Sequence, residues 1–153
     1  MTYELRFEHL INAKPEVVFD TFTDPGGQAA FYSGEPGWIV RSECDLRVGG
    51  VWSVDFGPSQ NQLYRHRHVF QVIDRPRRLL LTTTETRLDG SSFDTELEFV
   101  FEERGDQTLM KMIHRGFSTP ELRDEHRRGL PSAFGQLERF VGTAHQRPAI
   151  PDS

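Results

Sequence analysis

Leu130–Ala144, which reads LPSAFGQLERFVGTA, is the only long, strongly periodic helical pattern in a chain that otherwise alternates as strands do. Its apolar residues recur at steps of three and four, and this spacing places them in one stripe along an α-helix. The stripe consists of Leu130, Ala133, Phe134, Leu137, Phe140, Val141 and Ala144. We expect this helix to lie along a curved sheet, with the functional site in the space between them.

The residues around this stretch predict where the helix begins and where it bends. Residues 118–121, STPE, match a capping box with a proline in the first turn. Pro131 lacks a backbone donor and disfavours the helical conformation of the residue before it. We therefore expect a kink or break at Gly129–Leu130, between a short helix at about 120–128 and a long one at about 131–144.

Upstream of the helix, apolar and polar residues alternate in seven segments, as they do in half-buried strands. Short turns such as Gly49–Gly50 join consecutive segments, which favours antiparallel pairing. The alternation does not settle which threonines of the fifth segment point inward. The predicted strands cover residues 3–11, 38–47, 52–56, 63–73, 79–88, 93–102 and 108–114.

The region between the first two strands is predicted to contain a short helix and a loop. Residues 15–23 form an amphipathic pattern with proline at its start, and the sequence DPGG at 24–27 ends it. Residues 26–37 contain four glycines, so we expect a loop with at most one helical turn near 29–32. Its two aromatic residues suit either a flap over a pocket or a plug at the end of the core.

Together these elements predict an α+β fold in which a bent, seven-stranded antiparallel sheet wraps around the long C-terminal helix. One or two short helices follow the first strand. The sheet has one apolar face that must be covered, and only the C-terminal helix is long enough to cover it. We expect a single domain over residues 1–145 and a frayed tail over residues 146–153.

The composition excludes several classes of function. The 153 residues carry a formal net charge of −5, which argues against binding to nucleic acid or to anionic membranes. The chain contains a single cysteine, Cys44, so no internal disulfide can form, which fits a reducing compartment. No signal peptide and no membrane-spanning run are visible. We expect a cytoplasmic protein without membrane insertion.

A set of short motifs covers most of the chain in a characteristic order. They are AKPEVVF at 13–19 with TDP at 23–25, CDLRVGG at 44–50 with Trp52, DRPRRL at 74–79, residues 108–117, and Arg123, Asp124, His126 and Gly129. In this ordered set the chain resembles the homologues of the activator of the heat-shock-protein-90 ATPase. That family lies in the START-like (SRPBCC) helix-grip superfamily, which also contains birch-pollen-allergen-like proteins.

The resemblance implies a bent sheet that grips the C-terminal helix and encloses a largely apolar cavity. It also allows a chaperone partner, as in a co-chaperone or regulatory protein. Two positions depart from the family. The family often has a tryptophan pair where this chain has Phe31 and Tyr32, and a tryptophan where it has Leu130.

The inward faces of the predicted elements combine apolar residues with a few polar ones, as in a small-molecule site. The alternative is a filled core. The expected ligand-binding residues are Phe22, Phe31, Tyr32, Trp38, Trp52, Val54, Phe56, Tyr64, His66, His68, Phe70, Thr95, Leu97, Phe99, Met110, Met112, His114, Leu130, Phe134 and Leu137.

No metal or other cofactor is predicted. His66, His68 and His114 could in principle bind zinc, but the spacing supplies no further ligand, so we interpret them as buried or pocket-lining histidines. Cys44 lies on the apolar side of its strand and is interpreted as a small buried hydrophobe. No nucleophile motif, phosphate loop or dinucleotide fingerprint is present, so no catalytic residue is assigned.

Three functions remain as hypotheses for a monomer or homodimer. The first is non-catalytic binding of a small hydrophobic or aromatic molecule. The second is an enzyme that performs acid–base chemistry on a hydrophobic substrate, with Tyr64, His66, His68 or His114 as proton carriers. It requires at least two of these groups at one open volume. The third is a chaperone-related or regulatory protein–protein interaction.

Overall fold

The computed structural model describes residues 1–34 and 36–146, and for residues 144–146 it describes the backbone only. The elements, in chain order, are β1 (Tyr3–Ile11), α1 (Pro15–Phe22), α2 (Pro25–Phe31), β2 (Ile39–Cys44), β3 (Val51–Ser59), β4 (Gln62–Asp74), β5 (Arg78–Thr86), β6 (Ser92–Arg104), β7 (Gln107–Phe117) and α3 (Pro120–Gln146).

The seven strands form one antiparallel sheet in the order β1-β7-β6-β5-β4-β3-β2. Every strand from β2 to β7 pairs with its neighbour in sequence, and β1 closes the order by pairing with β7. The α+β helix-grip class is therefore confirmed. Of the tail predicted to fray, 146–153, residue 146 is the last residue of α3, and residues 147–153 lie outside the described residues. Among the described residues, no helix is both long and apolar enough to cross a membrane.

The sheet is amphipathic in the way that the alternation predicts. On β7, Thr108, Met110, Met112 and His114 all point inward and are buried. The outer face carries ion pairs, in which Arg115 meets Glu96 and Glu98 at 2.9 Å each. Because successive side chains of a strand alternate between faces, this burial pattern fixes the register of the sheet.

Helix α3 lays its apolar stripe on the sheet. Leu130, Phe134, Leu137 and Val141 are buried. The predicted break at Gly129–Leu130 is wrong, because α3 is a single helix with Pro131 inside it. An internal proline costs about 3 kcal/mol. Burial of each large apolar side chain contributes about 1.5–3 kcal/mol, so the buried stripe outweighs that cost.

Two local features of the helices also differ from the prediction. The start of α3 is capped by Thr119, whose Oγ1 accepts a hydrogen bond from the Leu122 N–H at 3.1 Å, rather than by the residue before it. The expected single turn near 29–32 is wrong as well, because α2 is a seven-residue helix. Its N-cap Asp24 accepts from the Gly26 N–H at 3.0 Å, and this cap offsets the low helix propensity of its glycines.

The interior between sheet and helices divides into two parts. One part is a filled aromatic core in which Phe22 lies 4.8 Å from Phe99, 5.3 Å from Trp52 and 5.4 Å from Phe31, measured between ring centroids. It is covered by α1, α2 and the C-terminal half of α3, where Phe134 is fully buried. The other part lies beside the N-terminal half of α3 and is open. This division places the candidate site.

Candidate functional site

A cavity of about 460 Å³ lies between the sheet and residues 125–133 of α3. Its size falls within the range of small-molecule sites. The wall includes more than half of the residues that the sequence analysis expected there. These are Phe31, Tyr32, Trp38, Phe56, Tyr64, His66, His68, Leu97, Met112, His114 and Leu130.

The other expected residues lie away from the cavity wall. Eight of them belong to the filled core, and Thr95 instead supports a wall residue through its hydrogen bond to His114. They share the inward face of their elements with the wall residues, but at the end of the molecule where aromatic rings fill the space. They are Phe22, Trp52, Val54, Phe70, Thr95, Phe99, Met110, Phe134 and Leu137.

The most polar part of the wall was missed by the sequence analysis. Thr83 and Glu85 of β5 point into the cavity, and His126 of α3 faces them. In the run LLLTTTE at 79–85, the odd and the even positions carry similar residues. Alternation alone therefore could not show which of these side chains face the interior. The usable signal lies in the pairing with β4, where Thr83 is opposite His68 and Glu85 is opposite His66.

Glu85 is the centre of the polar cluster and is only 4% exposed. Its Oε1 lies 3.0 Å from His66 Nε2 and 2.7 Å from His126 Nε2. Burial alone would raise the pKa of the Glu85 carboxyl. The electrostatic interaction with His66 and the hydrogen bonds from His126 and His66 outweigh burial and hold this pKa below its ordinary value. Glu85 is therefore an ionised, buried carboxylate.

His126 is the cationic partner of this carboxylate. Its Nδ1 lies 2.8 Å from the Leu122 carbonyl oxygen, and its Nε2 lies 2.7 Å from Glu85 Oε1. Both partners can only accept, so both ring nitrogens carry a hydrogen, which makes the ring an imidazolium. Burial lowers the pKa of His126, but the hydrogen bond to Glu85 and its charge raise it above the ordinary value. The pair ties α3 to the sheet beside the cavity.

A chain of hydrogen bonds leads from Glu85 back into the sheet. His66 Nδ1 lies 2.9 Å from the Tyr32 hydroxyl, which lies 3.0 Å from His68 Nε2. His68 Nδ1 lies 2.8 Å from Thr83 Oγ1. Burial holds the pKa of His68 well below its ordinary value, so His68 has one N–H. Burial and the charge of Glu85 raise the pKa of Tyr32, which therefore keeps its proton.

The donors and acceptors of this chain can all point in one direction. The ionised Glu85 accepts from His66 Nε2–H. When His66 is neutral, its Nδ1 accepts from the Tyr32 hydroxyl, which accepts from His68 Nε2–H in turn, and Thr83 donates to His68 Nδ1. A proton added to His66 Nδ1 would reverse every one of these bonds up to Thr83. The arrangement can therefore relay a proton without moving heavy atoms.

His114 adds a neutral imidazole on the other side of Glu85. Its Nε2 lies 2.8 Å from Thr95 Oγ1 and 3.7 Å from Glu85 Oε2. Burial lowers the pKa of His114 to about 3, so the ring is neutral at physiological pH. Neither His114 Nδ1 nor Glu85 Oε2 has a hydrogen-bond partner among the described residues, although both atoms are buried.

The described histidines are arranged for hydrogen bonding rather than around a common point. Within residues 1–34 and 36–146, no group of three or more histidine, cysteine or acidic side chains is arranged to hold a metal ion. The nitrogens of His66 and His126 lie at hydrogen-bond distance from one carboxylate oxygen. Ligands of zinc would instead surround a common point at about 2 Å.

Aromatic rings form a second, apolar part of the wall. Trp38, Phe56 and Tyr64 are stacked, with interplanar angles of 21–30° and centroid separations of 5.4–6.4 Å. Tyr32 joins this group to the polar cluster, because its ring lies 4.8 Å from Phe56 and its hydroxyl meets the histidines. On the same cavity wall, Arg87 is paired with Glu125 at 3.0 Å. The cavity thus combines a flat apolar surface with a buried polar group.

Comparison with known proteins places the chain in a family. Residues 12–142 match the family model described as "Activator of Hsp90 ATPase homolog 1-like protein". The chain belongs to this family, as its motifs indicate. No curated protein matches the chain.

Solved structures share the fold at low identity. A protein from Chromobacterium violaceum has a TM-score of 0.79 and 19% identity, with 90% of this chain and 96% of that one covered. One from Nitrosomonas europaea has a TM-score of 0.75 and 16% identity, covering 93% and 96%. One from Mycobacterium smegmatis has a TM-score of 0.74 and 16% identity, covering 90% and 89%. At these identities the likeness establishes the START-like fold alone.

Proposed function

We propose that this member of the Activator of Hsp90 ATPase homolog 1-like family binds a small hydrophobic or aromatic molecule between the sheet and α3. The observation that carries the proposal is the cavity of about 460 Å³, which leaves this half of the interior unfilled. Aromatic and aliphatic side chains supply most of its wall, and a few buried polar groups are placed among them. This combination is typical of ligand sites.

A thermal-shift screen of aromatic and lipid-like compounds, followed by native mass spectrometry, tests this function. A ligand at 100 times its dissociation constant should stabilise the protein by about 2.7 kcal/mol. Ala133→Phe places a ring in the cavity wall and should abolish the shift. Arg139→Phe adds the same ring on the exposed side of the same helix and should preserve it. If no compound stabilises the wild-type protein, binding in the cavity is contradicted.

The hydrogen-bond chain favours a second candidate function, acid–base chemistry on the bound molecule. This function requires at least two of the expected proton carriers at one open volume. Tyr64, His66, His68 and His114 all lie in the wall of the same cavity. Glu85 supplies a buried carboxylate at the end of the chain. Buried, charge-coupled groups beside a cavity are the usual setting of general acids and bases.

The ring opening of 5-nitrobenzisoxazole is a direct probe of a general base, because a base removes the ring C–H while the N–O bond breaks to release a phenolate. We expect the wild-type protein to accelerate this reaction and Glu85→Gln to lose the acceleration. Glu98→Gln, which makes the same chemical change on the outer face of the sheet, away from the cavity wall, serves as the matched control. Equal rates for wild type and Glu85→Gln would contradict acid–base catalysis through Glu85.

A further inference from the structure

We infer that the ligand of this cavity is a planar aromatic carboxylate, whose ring lies inside the cavity and whose carboxylate binds Arg128 at the cavity opening. The inference rests on the proposed binding function and adds the chemical class and the orientation of the ligand. It depends on where the cavity opens, on the charges of its wall and on the rings beside the opening.

The cavity opens between the segment after α2 and one edge of α3. This position follows from the wall residues that are also exposed to solvent. Of these, Gly34 follows α2, and Glu125, Arg128, Gly129 and Ser132 belong to α3. Within the described part of the chain, Arg128 is the only cation of this exposed set. It therefore meets any charged group that remains at the opening.

The guanidinium of Arg128 has no ion-pair partner within 4 Å among the described residues. Glu125, one turn before it on α3, is engaged with Arg87 at 3.0 Å. Asp124, also one turn before it, is paired with two other arginines of the helix, at 3.0 Å and 3.5 Å. A guanidinium presents its N–H donors in a planar fork that matches the two oxygens of a carboxylate. The fork of Arg128 is therefore available to an anion.

The ionisable groups of the wall carry an excess of positive charge. The cations are Arg87, His126 and Arg128, and the carboxylates are Glu85 and Glu125. Both carboxylates already have cationic partners, at 2.7 Å for Glu85 and His126 and at 3.0 Å for Glu125 and Arg87. Burial lowers the pKa of two of the remaining histidines and keeps them neutral, and protonation of the third would only increase the excess. An anionic ligand balances the charge of Arg128, whereas a cationic ligand would add to it.

The buried part of the wall excludes the carboxylate and so orients the ligand. Glu85 lies there as an ionised group that is only 4% exposed. Its partner His126 uses both ring nitrogens, on Glu85 and on the Leu122 carbonyl oxygen. A second carboxylate placed beside them would lose its hydration and gain no unpaired cation. At the opening the carboxylate keeps part of its hydration and meets Arg128.

Aromatic rings lie beside the same opening. A Cβ atom on Gly34 would come within 2.7 Å of the Trp38 ring, so this ring packs directly against the exposed Gly34. Trp38 is stacked with Phe56 and Tyr64, at interplanar angles of 30° and 21°. All three rings are only partly buried, and they line the cavity. Because offset stacking on such rings favours a planar partner, we expect an aromatic ring system next to the carboxylate.

Paired probes test the charge of the ligand. 2-Naphthoate and 2-naphthamide share one ring system and are nearly the same size, but only the first is charged at pH 7. Dissociation constants are measured by fluorescence titration. We expect 2-naphthoate to bind about fivefold more tightly, which corresponds to about 1 kcal/mol. The carboxylate loses more hydration than the amide on binding, so burial alone predicts the opposite order.

Arg128→Gln tests the residue that binds the carboxylate. The change removes the guanidinium from an exposed position, and we expect the preference for 2-naphthoate to disappear. Arg127→Gln is the matched control. It makes the same chemical change one position earlier on the helix, outside the cavity wall, and alters the net charge by the same amount. The preference should therefore persist in Arg127→Gln.

A saturated probe tests the planar ring. Decahydronaphthalene-2-carboxylate has the carbon skeleton and the charge of 2-naphthoate, but its puckered rings cannot stack. We expect it to bind about fivefold more weakly, as measured by its competition with 2-naphthoate. The saturated skeleton has more apolar surface, so the hydrophobic effect alone predicts the opposite order.

The outcomes distinguish this inference from the proposed function. Equal binding of 2-naphthoate and 2-naphthamide to the wild type, or an unchanged preference in Arg128→Gln, overturns the inference while binding itself stands. The same loss of preference in Arg127→Gln also overturns it, because overall charge rather than Arg128 would then set the preference. A saturated probe that binds as tightly as 2-naphthoate overturns the aromatic class. Absence of binding by both naphthalene probes overturns the proposed function.

Discussion

The two halves of the interior share the same strands and the same helix, yet one is filled and the other is open. β4 contributes Phe70 to the filled core and His68 to the cavity. α3 contributes Phe134 to the core and His126 to the cavity, two turns of helix earlier. A residue of the core and a residue of the cavity wall are therefore only two positions apart on β4, and two turns apart on α3. The aromatic core stabilises the fold, and the other half of the interior can therefore hold polar groups.

The largest effect is expected in the filled core. Phe134→Ala should lower the free energy of unfolding by about 3–5 kcal/mol, because Phe134 is fully buried. Its ring centroid lies 5.1 Å from the ring centroids of both Phe7 and Phe31. Urea denaturation measures the change. A loss below about 1 kcal/mol would show that this half of the interior is not close-packed.

The next effect belongs to the cavity half and depends on pH. His68 and His114 have folded-state pKa values below their ordinary 6.5, so the unfolded chain binds more protons as the pH falls through 6.5. Lowering the pH from 6.5 to about 5.5 should remove about 2 kcal/mol of stability, roughly 1 kcal/mol for each histidine. Urea denaturation across this range measures the loss, and His114→Gln should about halve it. A slope that His114→Gln leaves unchanged would contradict the buried, neutral state of His114.

His126 should act in the opposite direction. Its folded-state pKa is raised, so its stabilising contribution is complete below 6.5 and is lost as the pH rises through the folded-state value. Glu85 has a lowered pKa, and its contribution is complete above 4.5. The ion pair between Glu85 and His126 therefore contributes fully to stability between pH 4.5 and pH 6.5, and its contribution falls as the pH rises further. In denaturation experiments, His126→Gln should remove the alkaline decline; if the decline persists, His126 is not its source.

A smaller effect is expected from a matched pair of leucines at the boundary between the halves. Leu81 and Leu97 are buried and directly opposite each other on β5 and β6, but only Leu97 lies in the cavity wall. Leu97→Ala should cost about 1 kcal/mol less than Leu81→Ala, because the side of Leu97 that faces the cavity has fewer packing partners to lose. Equal costs, measured by urea denaturation, would remove the distinction between the two halves at this boundary.

The sequence predicted the filled half better than the cavity. Alternation and helical spacing report burial, so they located the seven strands and the stripe of α3. They did not show that Pro131 is absorbed into a continuous helix, since that depends on how much apolar surface the helix buries. They also missed Glu85, because the phase of LLLTTTE is set only by its pairing with β4.

Histidines illustrate the same limit. His66, His68 and His114 could be placed on inward faces from alternation, and the structure places all three in the cavity wall. His126 could be named from the sequence only as part of the family motif, because a histidine on the polar face of a helix produces no periodic pattern. The ion pair that gives it a role joins residues 41 positions apart. Such long-range pairs become visible only once the fold is known.

A map of amide chemical shifts during titration with 2-naphthol, a planar aromatic probe, shows whether ligands bind in the open half of the interior. The two-part interior predicts that shifts concentrate at cavity residues such as His66, Leu97 and Leu130, while core residues such as Phe22 and Val141 stay unchanged. Shifts spread evenly over both halves, or confined to the outer face of the sheet, would contradict the assignment of ligand binding to the cavity.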